Sequence, residues 1–112
     1  MELITAQQRE QLLANGLSNH GNRDPYPVVK LYTPDACATW LLTEIVPDQP
    51  DVAFGLCDLG IGFPELGYVS LSELAALRGP LGLPVERDLL FIAKKPLSHY
   101  ADDARINRYI RA

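Results

Sequence analysis

Cysteine and histidine are scarce in this chain of 112 residues, and their scarcity excludes several chemistries at once. Cys37 and Cys57 stand twenty positions apart, which is neither a disulfide framework nor a zinc-knuckle spacing, so both read as free thiols in or near a core. His20 and His99 share no i, i+4 spacing with each other or with a cysteine, and no metal site is expected. No apolar run approaches the ~18 residues of a membrane span. The N-terminus has no basic stretch ahead of an apolar core, so no signal peptide is expected and a cytoplasmic location is. A Gly-x-Ser-x-Gly elbow is missing, and Gly60-Ile61-Gly62 runs into Phe63-Pro64 and a strand instead of a helix, so it reads as a tight connection and not as a phosphate loop. No cofactor is expected.

Apolar residues make up 47% of the chain and charged residues 21%, the balance of an ordinary globular domain. The net charge of −4 is unevenly spread. Residues 1–34 are neutral, residues 35–88 carry −7, and residues 89–112 carry +3. General basicity of the kind that coats nucleic acid is therefore absent, while an acidic middle precedes a basic end.

Local patterns predict an α+β fold in one domain over residues 1–112, with a mainly antiparallel sheet of 4–5 strands and N-terminal, middle and C-terminal helices packed on it. Thr5 and Gln8 form a capping box for a first helix, with Leu12 and Leu13 as its stripe and Asn15-Gly16 as its stop. A turn-rich loop follows at 18–27. Strands are expected at 28–33, 39–46, 52–59 and 65–70, joined by short Pro-, Asp- or Gly-containing links that favour a meander over parallel crossovers. Ser70 and Glu73 form a second capping box, for a helix ending at Gly79-Pro80. A strand near 87–93 and a helix from about 98 to 109 complete the chain, with Ile106, Tyr109 and Ile110 as the buried face of that helix. The expected core is Leu12, Leu13, Val29, Leu31, Trp40, Leu42, Phe54, Leu56, Leu66, Val69, Leu74, Leu77, Leu89 and Phe91.

Three strings carry a family resemblance. They are Val29-Lys30-Leu31-Tyr32-Thr33-Pro34-Asp35 with Thr39-Trp40-Leu41-Leu42-Thr43-Glu44, then Phe54-Gly55-Leu56 with Asp58, then Glu65–Leu74 continuing through Arg78-Gly79-Pro80-Leu81-Gly82-Leu83-Pro84-Val85-Glu86-Arg87-Asp88. Together they resemble the domain of unknown function 2958 family of bacterial proteins over about residues 28–98. The resemblance implies a small protein often carried by plasmids, integrated elements or phages, and it assigns no functional residue. Residues 1–27 and 99–112 fall outside it.

Three function classes follow from the residues. The favoured one is a non-enzymatic protein-binding accessory factor of a mobile element, such as an inhibitor or modulator of a host nucleic-acid enzyme or defence system. Its contacts are Leu81 and Leu83 in a rigid apolar loop, with Glu86 and Asp88 as an acidic rim. The alternative is a small enzyme whose general base is Glu44, Asp58 or Glu65, acids that end otherwise apolar strand faces. Period two places Trp40, Leu42 and Glu44 on one face, and Val52, Phe54, Leu56 and Asp58 on another. The third class is a nucleic-acid binder using Lys94, Lys95, Arg105, Arg108 and Arg111, provided that these join in one patch. A protein partner is expected, nucleic acid is the less favoured one, and no membrane is involved.

Overall fold

The computed structural model describes residues 2–18 and 23–112. Thr5 and Gln8 close the expected capping box of helix α1 (Ala6–Leu17): the Thr5 hydroxyl accepts from Gln8 N at 3.0 Å, and the Gln8 side-chain oxygen accepts from Thr5 N at 2.9 Å. Asn15-Gly16 does not stop this helix, which runs on to Leu17. Gly16 is instead a crossing point, where a Cβ would lie 2.0 Å from the carbonyl oxygen of Ile45. Beside it, Asn15 Nδ2 donates to the Thr43 carbonyl at 2.8 Å.

Strands β1 (Val29–Tyr32), β2 (Thr39–Val46), β3 (Gln49–Asp58) and β4 (Glu65–Ser70) form the antiparallel meander that the short links demand. β3 starts three residues earlier than expected because the β2–β3 link is a tight turn at Pro47-Asp48, which lets Gln49 pair with Val46. The expected strand at 87–93 shrinks to β5 (Glu86–Arg87), which pairs with β1 and completes the order β4-β3-β2-β1-β5. Asp88 ends it: its side chain accepts from Leu90 N at 2.9 Å and bends the chain away from the sheet.

A register shift between Leu42 and Glu44 breaks the simple alternation along β2. Trp40, Leu42 and Ile45 face α1, while Leu41 faces the opposite side. Glu44 pairs with Phe54, and so leaves the face of Trp40 and Leu42 on which period two had placed it.

Helix α2 (Leu71–Ala76) forms half of its expected capping box, with the Ser70 hydroxyl accepting from Glu73 N at 3.2 Å. Asp51 adds acceptors from β3, taking Ser72 N at 2.9 Å and both serine hydroxyls. α2 ends at Ala76, short of Gly79-Pro80, and leaves Leu77 exposed. Helix α3 (Leu97–Asn107) has Pro96 at its N-cap with no side-chain cap bond of its own, and the distant Asp24 takes that place by accepting from Ser98 N at 3.0 Å. The loop expected at 18–27 is irregular over 23–27, and 19–22 lie outside the described residues.

Helices cover both faces of the sheet. α1 and α2 close a core of Ile4, Leu12, Val29, Leu31, Trp40, Leu42, Ile45, Ala53, Leu71, Leu74 and Val85. α3 closes a second core with Leu41, Leu56, Leu97, Tyr100, Ala101, Ala104 and Ile110, edged by Phe54 and Phe91. The buried stripe of α3 is thus 97, 100, 101 and 104, while Ile106 and Tyr109 are exposed, contrary to expectation. Two alanines let the helix lie close to the sheet, and Arg108, in the left-handed region at φ 70°, turns the chain back so that Ile110 is buried beyond the helix end. Of the remaining expected core, Leu13, Phe54, Val69 and Phe91 are half-buried, and Leu66 and Leu89 lie exposed. No helix among the described residues is long and apolar enough to cross a membrane.

Candidate binding surfaces

The three candidate bases do not meet. Asp58 is 3% exposed, and each of its oxygens serves a backbone donor: Oδ1 accepts from Gly60 N at 2.8 Å and Oδ2 from Ile110 N at 3.0 Å. It therefore ties the turn after β3 to the segment after α3. Glu44 lies on the same side of the sheet but five residues along β2 from Thr39, the residue paired with Asp58, a separation of roughly 16 Å. Glu65 is exposed on edge strand β4 and pairs with Cys57, which belongs to the opposite, α1–α2 side. Cys57 itself is half-buried, and burial pushes its thiol up to about 11. Cys37 is exposed.

The basic residues stand before, within and after α3, and apart from Lys94 each has a side-chain contact within the chain. Arg111 reaches back to Asp103, with Nε–Oδ2 at 3.0 Å and Nη2–Oδ1 at 2.5 Å. Those hydrogen bonds hold the Asp103 carboxyl below the ordinary range and raise the guanidinium. Arg105 pairs with Asp102 at 3.3 Å, one turn along an exposed face. Arg108 stands over the Phe63 ring at 5.8 Å, and Lys95 over the Tyr100 ring at 4.7 Å. Lys94 is exposed near the start of the helix, with its backbone N donating to Tyr100 Oη at 3.0 Å. His99 is exposed, and His20 lies outside the described residues. Among the described residues no group of three or more His, Cys, Asp or Glu is placed to hold a metal ion.

The concave features are open grooves. One of them, about 730 Å³, lies between the N-terminal end of α1 and α2 and is lined by Glu2, Arg9, Glu10, Leu13, Asp51 and Ser72 among others. Asp51 there is held below the usual carboxylate range chiefly by the hydroxyls of Ser70 and Ser72. These bonds fasten α2 to β3, so Asp51 already has a structural role.

The protein-contact candidates are presented outward on a fixed backbone. Leu81 and Leu83 are exposed, at 80% and 43%. Asp35 Oδ2 accepts from Leu81 N at 2.8 Å and from Leu83 N at 3.3 Å, while Gly79 N donates to Leu83 O and Gly82 N to Gly79 O. A Cβ at Gly79 would sit 1.8 Å from Asp35 Oδ1, so a side chain there would displace the carboxylate that holds the loop. Glu86 accepts from the Tyr32 hydroxyl at 3.1 Å, which raises that hydroxyl's pKa. Asp88 pairs with Lys30 at 3.5 Å, and Lys30 also donates to Ala112 O at 2.6 Å.

Sequence reasoning missed a second ridge directly after Asp88. Leu89, Leu90 and Ile92 are 69%, 90% and 79% exposed, while Phe91 between them packs against the α3-side core. The signal was present in Asp88 itself: an aspartate accepting from the backbone two residues on makes a turn, and a turn ends the strand that would have buried those side chains.

No curated protein and no solved structure shows significant similarity to the chain. A family model described as "Protein of unknown function (DUF2958)" matches residues 3–111, extending the likeness well beyond 28–98 to include α1 and α3. The chain belongs to the DUF2958 family.

Proposed function

We propose that this protein is a non-enzymatic binding module whose partner is another protein, engaged through Leu81 and Leu83 and through the ridge of Leu89, Leu90 and Ile92. The observation that carries the reading is the ridge: three large apolar side chains stand exposed on a backbone held by the Asp88 turn and by half-buried Phe91. Apolar anchors held rigid before binding lose little entropy when they dock, and Glu86 and Asp88 beside them supply a polar rim. The dispersal of Glu44, Asp58 and Glu65 supports the same reading over a carboxylate enzyme. The ion pairs of Arg105 and Arg111 support it over a phosphate-binding helix. The setting implied by the family resemblance is a mobile genetic element, so the partner class to try first is a host nucleic-acid enzyme or a defence component.

The test is a pull-down from host lysate, with and without nuclease, using the wild type, Leu81→Glu and Leu90→Glu. A protein retained in stoichiometric amount after nuclease, and lost from both variants, is the expected result. Capture that vanishes with nuclease, or that both variants retain at wild-type level, overturns the proposal.

A further inference from the structure

The two edges of the sheet are unequal. β5 presents two residues at one edge, whereas β4 presents six at the other, and no strand among the described residues covers its outer side. Alternate N–H and C=O groups of such a strand point outward, a template for another strand. β4 lacks the features that usually deter pairing: it has no proline and no lysine, its register with β3 is unbroken over all six residues, and Glu65 is its single charge. On its α3 side Leu66 and Tyr68 are 46% and 69% exposed, Phe63 just before it is 64% exposed, and the Tyr68 ring is steadied by Phe54 at 5.0 Å.

We propose that a second copy of this chain covers this edge, β4 pairing antiparallel with β4 about a two-fold axis at Gly67, so that two five-stranded sheets join into one of ten strands. The strand is complementary to itself in that register. Leu66 stands opposite the partner's Tyr68 and Tyr68 opposite the partner's Leu66, an apolar cross-strand cluster, and Gly67 places no side chain at the axis. The two Glu65 carboxylates fall at opposite ends of the paired segment, roughly 14 Å apart. Neighbouring registers are worse: centring on Leu66 draws Pro64, which has no N–H, into the ladder, and centring on Tyr68 runs the pairing into α2 at Leu71.

The charges near this edge are of both signs. The whole chain carries −4, but here Glu65 stands with Arg105 and Arg108, which line the adjoining cleft of about 320 Å³, so two copies would not meet across a block of acids. At these exposures Phe63, Leu66 and Tyr68 offer on the order of 300 Å² of side chain per copy. With the strand backbone added, the interface is smaller than the roughly 800 Å² per partner of a standard one, so the dimer is expected to be a weak, concentration-dependent one. The two apolar ridges of the proposed partner surface are not used, so a dimer presents two copies of each.

The test is the mass of the full chain in solution, by light scattering across a wide concentration range. The mass is expected to rise with concentration towards twice 12.4 kDa, and Tyr68→Lys is expected to raise the dimer dissociation constant at least tenfold with an unchanged circular dichroism spectrum. A wild type that is monomeric throughout, or a folded Tyr68→Lys variant that dimerises as tightly as the wild type, overturns the proposal. Gly67→Cys in a Cys37→Ser background supplies a second measurement should Tyr68→Lys fail to fold. Mild oxidation is expected to link two chains at the axis, and a product that stays monomeric counts against the pairing.

Discussion

Most of the acids in this protein are held by the chain's own donors, and this decides what they can do. Asp35 fastens the 79–83 loop, Asp51 the start of α2, Asp58 the segment after α3, and Asp103 the side chain of Arg111. The Asp103 contact has a pH signature. Its folded pKa is lowered, chiefly by hydrogen bonds from Arg111, so its contribution to stability is full above the ordinary carboxylate range and is lost as pH falls through the lowered value. Asp51 acts with the same sign. Asp103→Asn is therefore expected to be less stable than the wild type at neutral pH, with the gap closing below about pH 4, which urea unfolding at a series of pH values would measure. Asp58 reads in the sequence as a candidate base, whereas the structure makes it a tie, with Gly60 N two positions on as its near donor, the local turn that Asp-x-Gly favours. The other donor, Ile110 N, lies fifty-two positions away, and no spacing rule brings it to mind.

At the scale of elements, strands and caps were easier to read than helix faces. β2 and β4 have the expected boundaries because β-branched and aromatic runs are bounded there by Pro, Asp and Gly. The face of α3 was misread because its buried stripe contains two alanines, which carry little hydrophobic signal, while isoleucine and tyrosine beyond them carry more. Gly16 was misread for a related reason, since a glycine near the end of a helical pattern resembles a stop. Its neighbour in space, the Ile45 carbonyl, comes from a strand 29 positions on. Helix propensity alone makes Gly16→Ala stabilising by about 1 kcal/mol. The close crossing makes the opposite outcome the expected one, a loss of about 1–3 kcal/mol from forcing α1 off β2, readable as a lower urea midpoint. An unchanged or raised midpoint would show that the crossing is looser than the geometry states.

For the molecule as a whole, the α+β class and the antiparallel order of β1–β4 were legible because each link is too short for anything but a return. Coverage of both faces was not. It depends on the β2 register shift, which sends Ile45 to one side and Glu44 to the other, and on the closeness of α3. The same arrangement orders events in time. The first four strands are neighbours in sequence as well as in space, so their loops close at little entropic cost. β5 pairs with β1 from more than fifty residues away, and α3 lies still later in the chain. The β2–β3 hairpin is expected to be structured in the folding transition state, with α3 docking after it. In stopped-flow experiments followed by the buried and solitary Trp40, Leu42→Ala should slow refolding. Ala104→Gly should act mainly by hastening unfolding, which makes α3 the latch that sets how long each molecule stays folded.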